Sequence, residues 1–160
     1  MIEQWAAALE ATELAAALRN SVWSYPLVNA AHILGVALLV GSIVPLDLRL
    51  LGAWRSVPLA PLWAVLSRSA GAGLVLAVVF GSLLFISRAT EYVVSNLFIA
   101  KMAAVAVGTV NVLALRILGG QSSEIALACA EPPAAVRLAA GVSLAAWSGA
   151  RVLGRLLGYI

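Results

Sequence analysis

Residues 69–87 read SAGAGLVLAVVFGSLLFIS, without one charged side chain, and Arg68 and Arg88 stand immediately outside them. At 1.5 Å rise per residue, about 20 such residues form a helix as long as a bilayer's hydrocarbon core is thick, ~30 Å. A surface helix of a water-soluble domain carries charged residues on its outer face. This run carries none.

The rest of the chain repeats the pattern less cleanly. A first span is expected at about 23–44, with Pro26 in its first turn, where a missing amide costs little, and Pro45 closing it. The second is the quoted run, 69–87. A third is expected at about 97–115, containing Lys101, and a fourth at about 134–157, containing Arg137, Arg151 and Arg155. The charge-free part of the fourth is only 138–150, so its arginines are expected to snorkel to headgroups or face the interior. Ahead of all four, residues 3–19 place Trp5, Leu9, Leu14 and Leu18 near helical spacing, with Glu3, Glu10, Glu13 and Arg19 between them. That spacing predicts an amphipathic helix at the membrane interface. Thr12 before Glu13 is placed to cap a second short helical piece. The expected fold is an all-α integral membrane four-helix bundle with a short N-terminal interfacial helix, residues 1–160 forming one transmembrane domain.

Composition points the same way. The chain is 63% hydrophobic and 11% charged, against about 45–50% and 25% in soluble domains. That apolar excess is too large to hide in a soluble core of this size. The N-terminal segment is acidic and lacks the basic start of a cleavable signal, so the first span reads as an uncleaved anchor. The ten basic residues behind the +3 net charge are scattered. Scattered arginines beside apolar spans contact lipid headgroups, and without a basic patch nucleic-acid binding is not expected. Cys129 is the single cysteine; it excludes an intrachain disulfide and reads as an inert small residue.

Aromatic side chains favour an even number of crossings. Trp23, Tyr25, Tyr92, Phe98 and Tyr159 gather at one interface, Trp54 and Trp63 at the other, so both termini share a side. Around the first span, Arg49, Arg55 and Arg68 outnumber Arg19 by three to one, which puts both termini outside. Lipid supplies no hydrophobic drive for helices to pair, so small residues at helical spacing mark close contacts. Ser69, Gly73, Ala77 and Gly81 form one such stripe; Gly141, Ala145 and Gly149 form another. They serve packing within the chain, or docking of a second copy or a membrane-protein partner.

His32, the only histidine, falls near the middle of the first span, with Asn29 a turn before and Gly35 near a turn after. An ionisable residue inside a membrane is costly without a partner. Three readings stay open: a neutral imidazole bonded to Asn29, Asn111 or Ser148; an axial ligand of haem iron in a dry helical bundle; or a proton relay or other metal site. A six-coordinate haem needs a second ligand, which Met102, Lys101 or another subunit's His32 would have to supply. Copper handling is disfavoured, because soft ligands are nearly absent from the spans. Lys101, one turn inside the third span, either snorkels or holds an anionic group. Arg155 falls on the helix face of Ser148 and Gly141, which predicts an inward position and a pair with Glu91. No nucleophile triad, paired carboxylates, phosphate loop or zinc spacing is present in the sequence.

The runs NAAHILGVALLVGSIVPLDLRLLGAWRSVP, NLFIAKMAAVAVGTVN and SLAAWSGARVLGRLLGY resemble a family of small, uncharacterised bacterial four-helix membrane proteins, over about residues 9–159. The distinctive parts are His-x-x-Gly and the Leu-Asp-Leu-Arg after it. The resemblance implies a bacterial inner-membrane location and no established activity. More distantly, the first-helix His and third-helix Lys are similar to those of the copper-resistance protein D family and of HemJ-type protoporphyrinogen oxidases. In the latter the two residues are associated with haem and activity, and His32 and Lys101 are the matching positions. The copper family's additional histidines and methionines are missing. The most specific expectation is a small b-type haem or redox protein with His32 as metal ligand and Lys101, Asn29, Asn111 and Arg155 around the cofactor. The alternative is a non-enzymatic membrane subunit, scaffold or small permeation element that docks a partner or self-associates through its small-residue faces.

Overall fold

A computed structural model describes residues 1–118 and 132–159. The described residues form helices α1 (Ile2–Glu10), α2 (Glu13–Asn20), α3 (Ser24–Leu51), α4 (Leu59–Ser87), α5 (Ala89–Val94), α6 (Asn96–Leu118) and α7 (Ala134–Leu156), and no strand. Gly119-Gly120, Cys129 and both glutamates expected between the third and fourth spans lie outside the described residues.

The predicted 3–19 helix is two helices. Thr12 breaks it: its hydroxyl accepts the Ala15 amide proton at 3.3 Å and donates to the Leu9 carbonyl at 2.7 Å. The cap starts α2 and holds the end of α1. These two helices are also tied to the long ones. Arg19 donates to the Ser87 carbonyl at the end of α4 (3.2 Å) and to the Glu10 carbonyl (2.9 Å), and Thr90 of α5 donates to the Glu10 carboxylate (2.6 Å). A cation at a helix C-terminus satisfies orphan carbonyls and opposes the helix dipole.

The first long helix does not stop at Pro45. Proline removes one amide bond and crowds the carbonyl four residues back. Here the helix continues because Leu46 and Leu50 are buried against Leu59, Val136 and Ala140. It ends at Gly52, whose φ of +110° suits glycine; the Gly52 and Ala53 amides close back on Arg49 and Leu48. The interval between the first two spans, expected from 45 to 68, thus shrinks to 52–58. Pro58 and Pro61 then sit at the start of α4, where their missing amides cost little.

Helices α3, α4 and α6 are each long and apolar enough to cross a membrane, with mean hydropathies of 2.1, 2.2 and 1.9. Their exteriors support that reading. Leu34, Val75 and Val110 are 64%, 62% and 63% exposed, and apolar surface on this scale does not face water in soluble monomers. Helix α7 is as long as α6 but holds Arg137, Arg151 and Arg155 and is not among these three.

The long helices alternate in direction and pack in the order α4–α3–α7–α6. Gly35 and Leu39 of α3 meet Ala77 and Gly73 of α4. Asp47 meets Ser143 of α7, and Lys101 and Gly108 of α6 meet Gly154 and Trp147. Among the described residues α4 and α6 do not pack on each other, so the array is open on that side. Phe85, Tyr92 and Phe98 bridge it only at one end, with ring centroids 5.1–6.2 Å apart. Both chain ends lie at that same end.

The two small-residue stripes lie differently. Gly73, Ala77 and Gly81 face α3. The Gly141–Ala145–Gly149 stripe faces no neighbour among the described residues: Ala145 is exposed, and a Cβ on either glycine would meet nothing within 4 Å. Helix α7 packs instead through Val136, Ala140, Ser143, Trp147 and Ala150.

Candidate functional site

His32 is a half-buried residue of α3. Its ring lies against α4, with Nδ1 2.9 Å from the Ala77 carbonyl oxygen. A carbonyl only accepts, so Nδ1 carries the proton and Nε2 keeps its lone pair. Gly81 allows this approach: a Cβ there would stand 3.0 Å from Cε1 and 3.1 Å from Nδ1. Nε2 has no hydrogen-bond partner among the described residues.

Lys101 of α6 packs on α7. Its stem runs over Gly154 of α7, where a Cβ would lie 3.4 Å from Cε and 3.6 Å from Nζ. The ammonium has no carboxylate partner among the described residues, and it is close enough to His32 for its field to reach the imidazole. Both residues are half-buried, and neither Nε2 nor the ammonium has a hydrogen-bond or carboxylate partner among the described residues. One turn from each, the Phe85–Tyr92–Phe98 stack closes the end. Burial, and then neighbouring Tyr25, push the Tyr92 phenol above its ordinary range, so it stays a neutral hydroxyl. A cavity of about 180 Å³ opens beside it, lined by Glu91, Tyr92, Ser95, Leu97 and Leu157.

The other expected site residues lie elsewhere. Asn111 donates to the Ala139 carbonyl at 2.9 Å and ties α6 to α7, ten residues and about 15 Å along the helix from Lys101. Asn29 is exposed, Met102 is 45% exposed, and Ser148 is exposed. Arg155 is exposed too; its guanidinium lies 4.5 Å over the Tyr159 ring and donates to the Tyr159 hydroxyl. It does not pair with Glu91, which Arg88 holds at 3.3 Å. Of the other four candidates, only Lys101 lies within electrostatic range of His32.

Two buried groups escaped the sequence reading. Asp47 and Arg49 are 5% and 3% exposed, yet they do not pair. Two residues apart on a helix, they point about 200° apart: Asp47 toward Ser143, Arg49 into the 52–58 turn, where it donates to Val57 and Arg55 carbonyls. Asp47 Oδ2 and Arg49 Nη1 remain buried without partners. The Leu-Asp-Leu-Arg run was the signal, and ending the helix at Pro45 hid it. Compared with known protein families, curated proteins and solved structures, the chain matches none.

Proposed function

We propose that this chain is a four-span protein of a bacterial inner membrane, with both termini outside, in which His32 ligates a b-type haem through Nε2. The observation that supports the cofactor is the bond from Nδ1 to the Ala77 carbonyl. Metal-ligating histidines characteristically give their other N–H to a carbonyl or carboxylate, which fixes the tautomer and raises the basicity of the free nitrogen. Haem, when bound, supplies reversible one-electron chemistry. The chain's own residues do the rest. His32 is the ligand, Lys101 attracts an anionic substituent, and Gly81 and Gly154 leave room beside them. His32 would be the residue that holds the haem, and Met102, on the exposed face of α6, would not join it within one chain.

Visible spectra of the detergent-purified protein, oxidised and dithionite-reduced, test this. A Soret band with redox-sensitive α and β bands is expected, and its complete loss in His32→Ala. A colourless protein from cells with ample haem would overturn the cofactor.

The fourth span in this reading is α7, packed along α3 and α6 with its arginines near the ends. An outside-active reporter fused after Ile160 is expected to be active, and one fused at Ser56 inactive. Inactivity at Ile160 would remove the fourth crossing.

A second reading is favoured by the outward stripe of α7, whose glycines meet nothing among the described residues. Here the protein is a membrane scaffold or subunit that docks a second copy or a membrane-protein partner, and His32 only ties α3 to α4. It is then colourless, His32→Ala costs about 1 kcal/mol of stability, and Gly149→Leu breaks the association.

A further inference from the structure

At the far end of the array from His32, the chain gathers arginine. Arg49, Arg55 and Arg137 line one cleft together with Gly52 and Pro132. Arg49 is the built part of it. Its side chain is 3% exposed, Nε donates to Val57 at 2.9 Å and Nη2 to the Arg55 carbonyl at 3.2 Å, so the guanidinium is held in one orientation. Nη1 is buried and has no partner. Arg137 comes to the same cleft from the first turn of α7, exposed.

Neither Arg49 nor Arg137 has a carboxylate within ion-pair distance among the described residues. The nearest buried acid, Asp47, is turned away toward Ser143. A buried guanidinium with a free N–H and a second uncompensated cation beside it leave an acceptor of negative charge missing. The flanking residues indicate its depth. Trp54 is 57% exposed in the adjoining turn and Trp63 lies on the first turns of α4, and tryptophan gathers where a bilayer's headgroups meet its hydrocarbon. At that depth the abundant anion is phosphate, whose oxygens match the planar donor fork of arginine.

We propose that the Arg49–Arg55–Arg137 cleft binds a phosphate group, with Arg49 Nη1 and Arg137 as its donors. An anionic phospholipid headgroup and free phosphate share this chemistry, and the experiment separates them. Thermal unfolding of the full-length protein is followed in uncharged-detergent micelles with added phosphatidylglycerol, phosphatidylcholine, or inorganic phosphate against chloride at equal ionic strength. Phosphatidylglycerol is expected to raise the melting temperature by about 5 °C. Arg137→Gln is expected to abolish that rise without changing the lipid-free value, and Arg151→Gln, an exposed arginine near the other end of α7, to retain it. A matching rise with inorganic phosphate, lost in the same variant, identifies free phosphate as a sufficient ligand; a rise with lipid alone identifies the headgroup. Arg49→Gln should behave as Arg137→Gln if it folds; if it does not, Arg137→Gln alone decides. The proposal is overturned by no rise with either phosphate source, by a rise equal to that with phosphatidylcholine, by one that survives Arg137→Gln, or by one lost equally in Arg151→Gln.

Discussion

Gly73→Ala is expected to unfold the α3–α4 seam, at a cost of about 3 kcal/mol or more, whereas Gly71→Ala, two residues away, leaves it intact. A Cβ at Gly73 would stand 2.4 Å from the Leu39 amide nitrogen and 2.8 Å from the Gly35 carbonyl oxygen. Both are backbone atoms. No rotamer change relieves such a contact, so the helices have to separate, and the His32–Ala77 bond one turn away goes with them. At Gly71 a Cβ meets nothing within 4 Å, and alanine there gains about 0.5–1 kcal/mol of helix preference. The opposite signs are the test, read as the denaturant or temperature midpoint in one detergent. Equal losses in both variants would show that glycine itself, and not the seam, sets stability.

That seam was legible in the sequence because its signal is local: Gly73, Ala77 and Gly81 repeat at helical spacing, and small size is what close approach requires. Thr12 was legible for the same reason, since a cap depends only on residues within a turn. Pro45 misled because its penalty is local while the compensation is tertiary; Leu46 and Leu50 repay it by packing on residues from α4 and α7. The α7 stripe left the packing face undecided. Alanine and glycine occur on both faces of that helix, so spacing alone did not single out the Val136–Ala140–Ser143–Trp147 face. The geometry at His32 was not legible. Its partner is a main-chain carbonyl, and every residue has one.

The buried acid and base of Leu-Asp-Leu-Arg follow from the same misreading. With the helix ended at Pro45, Asp47 and Arg49 are loop residues facing water. With the helix carried to Leu51 they are fixed on opposite faces at the end of α3, each buried and each one hydrogen bond short. Sequence neighbours of opposite charge that face apart imply two separate partners, and the one for Arg49 has to come from outside the described chain.

Trp147→Ala is expected to cost about 3–5 kcal/mol, because a large buried side chain is removed from a cluster that the long helices share. The indole is 4% exposed and belongs to one buried cluster with Leu39 and Ile43 of α3 and Ala70 of α4, on which Leu74 of α4 and Val105 of α6 pack. Between helices in lipid such van der Waals contact is a main source of attraction. The ring also lies over Gly108, where a Cβ would stand 2.7 Å from Cε2. Gly108→Ala alone is therefore destabilising, and the clash is with a side chain that the second variant removes. In Gly108→Ala/Trp147→Ala the two costs do not add; the double variant is expected to be more stable than their sum by about 1 kcal/mol or more. Trp147→Phe separates packing from polarity. It keeps an aromatic ring and deletes Nε1, which is buried without a partner. Losing an unsatisfied donor recovers about 1–3 kcal/mol of desolvation, so phenylalanine should cost well under half of what alanine does. Strict additivity in the Gly108 pair would mean that the indole does not sit against α6.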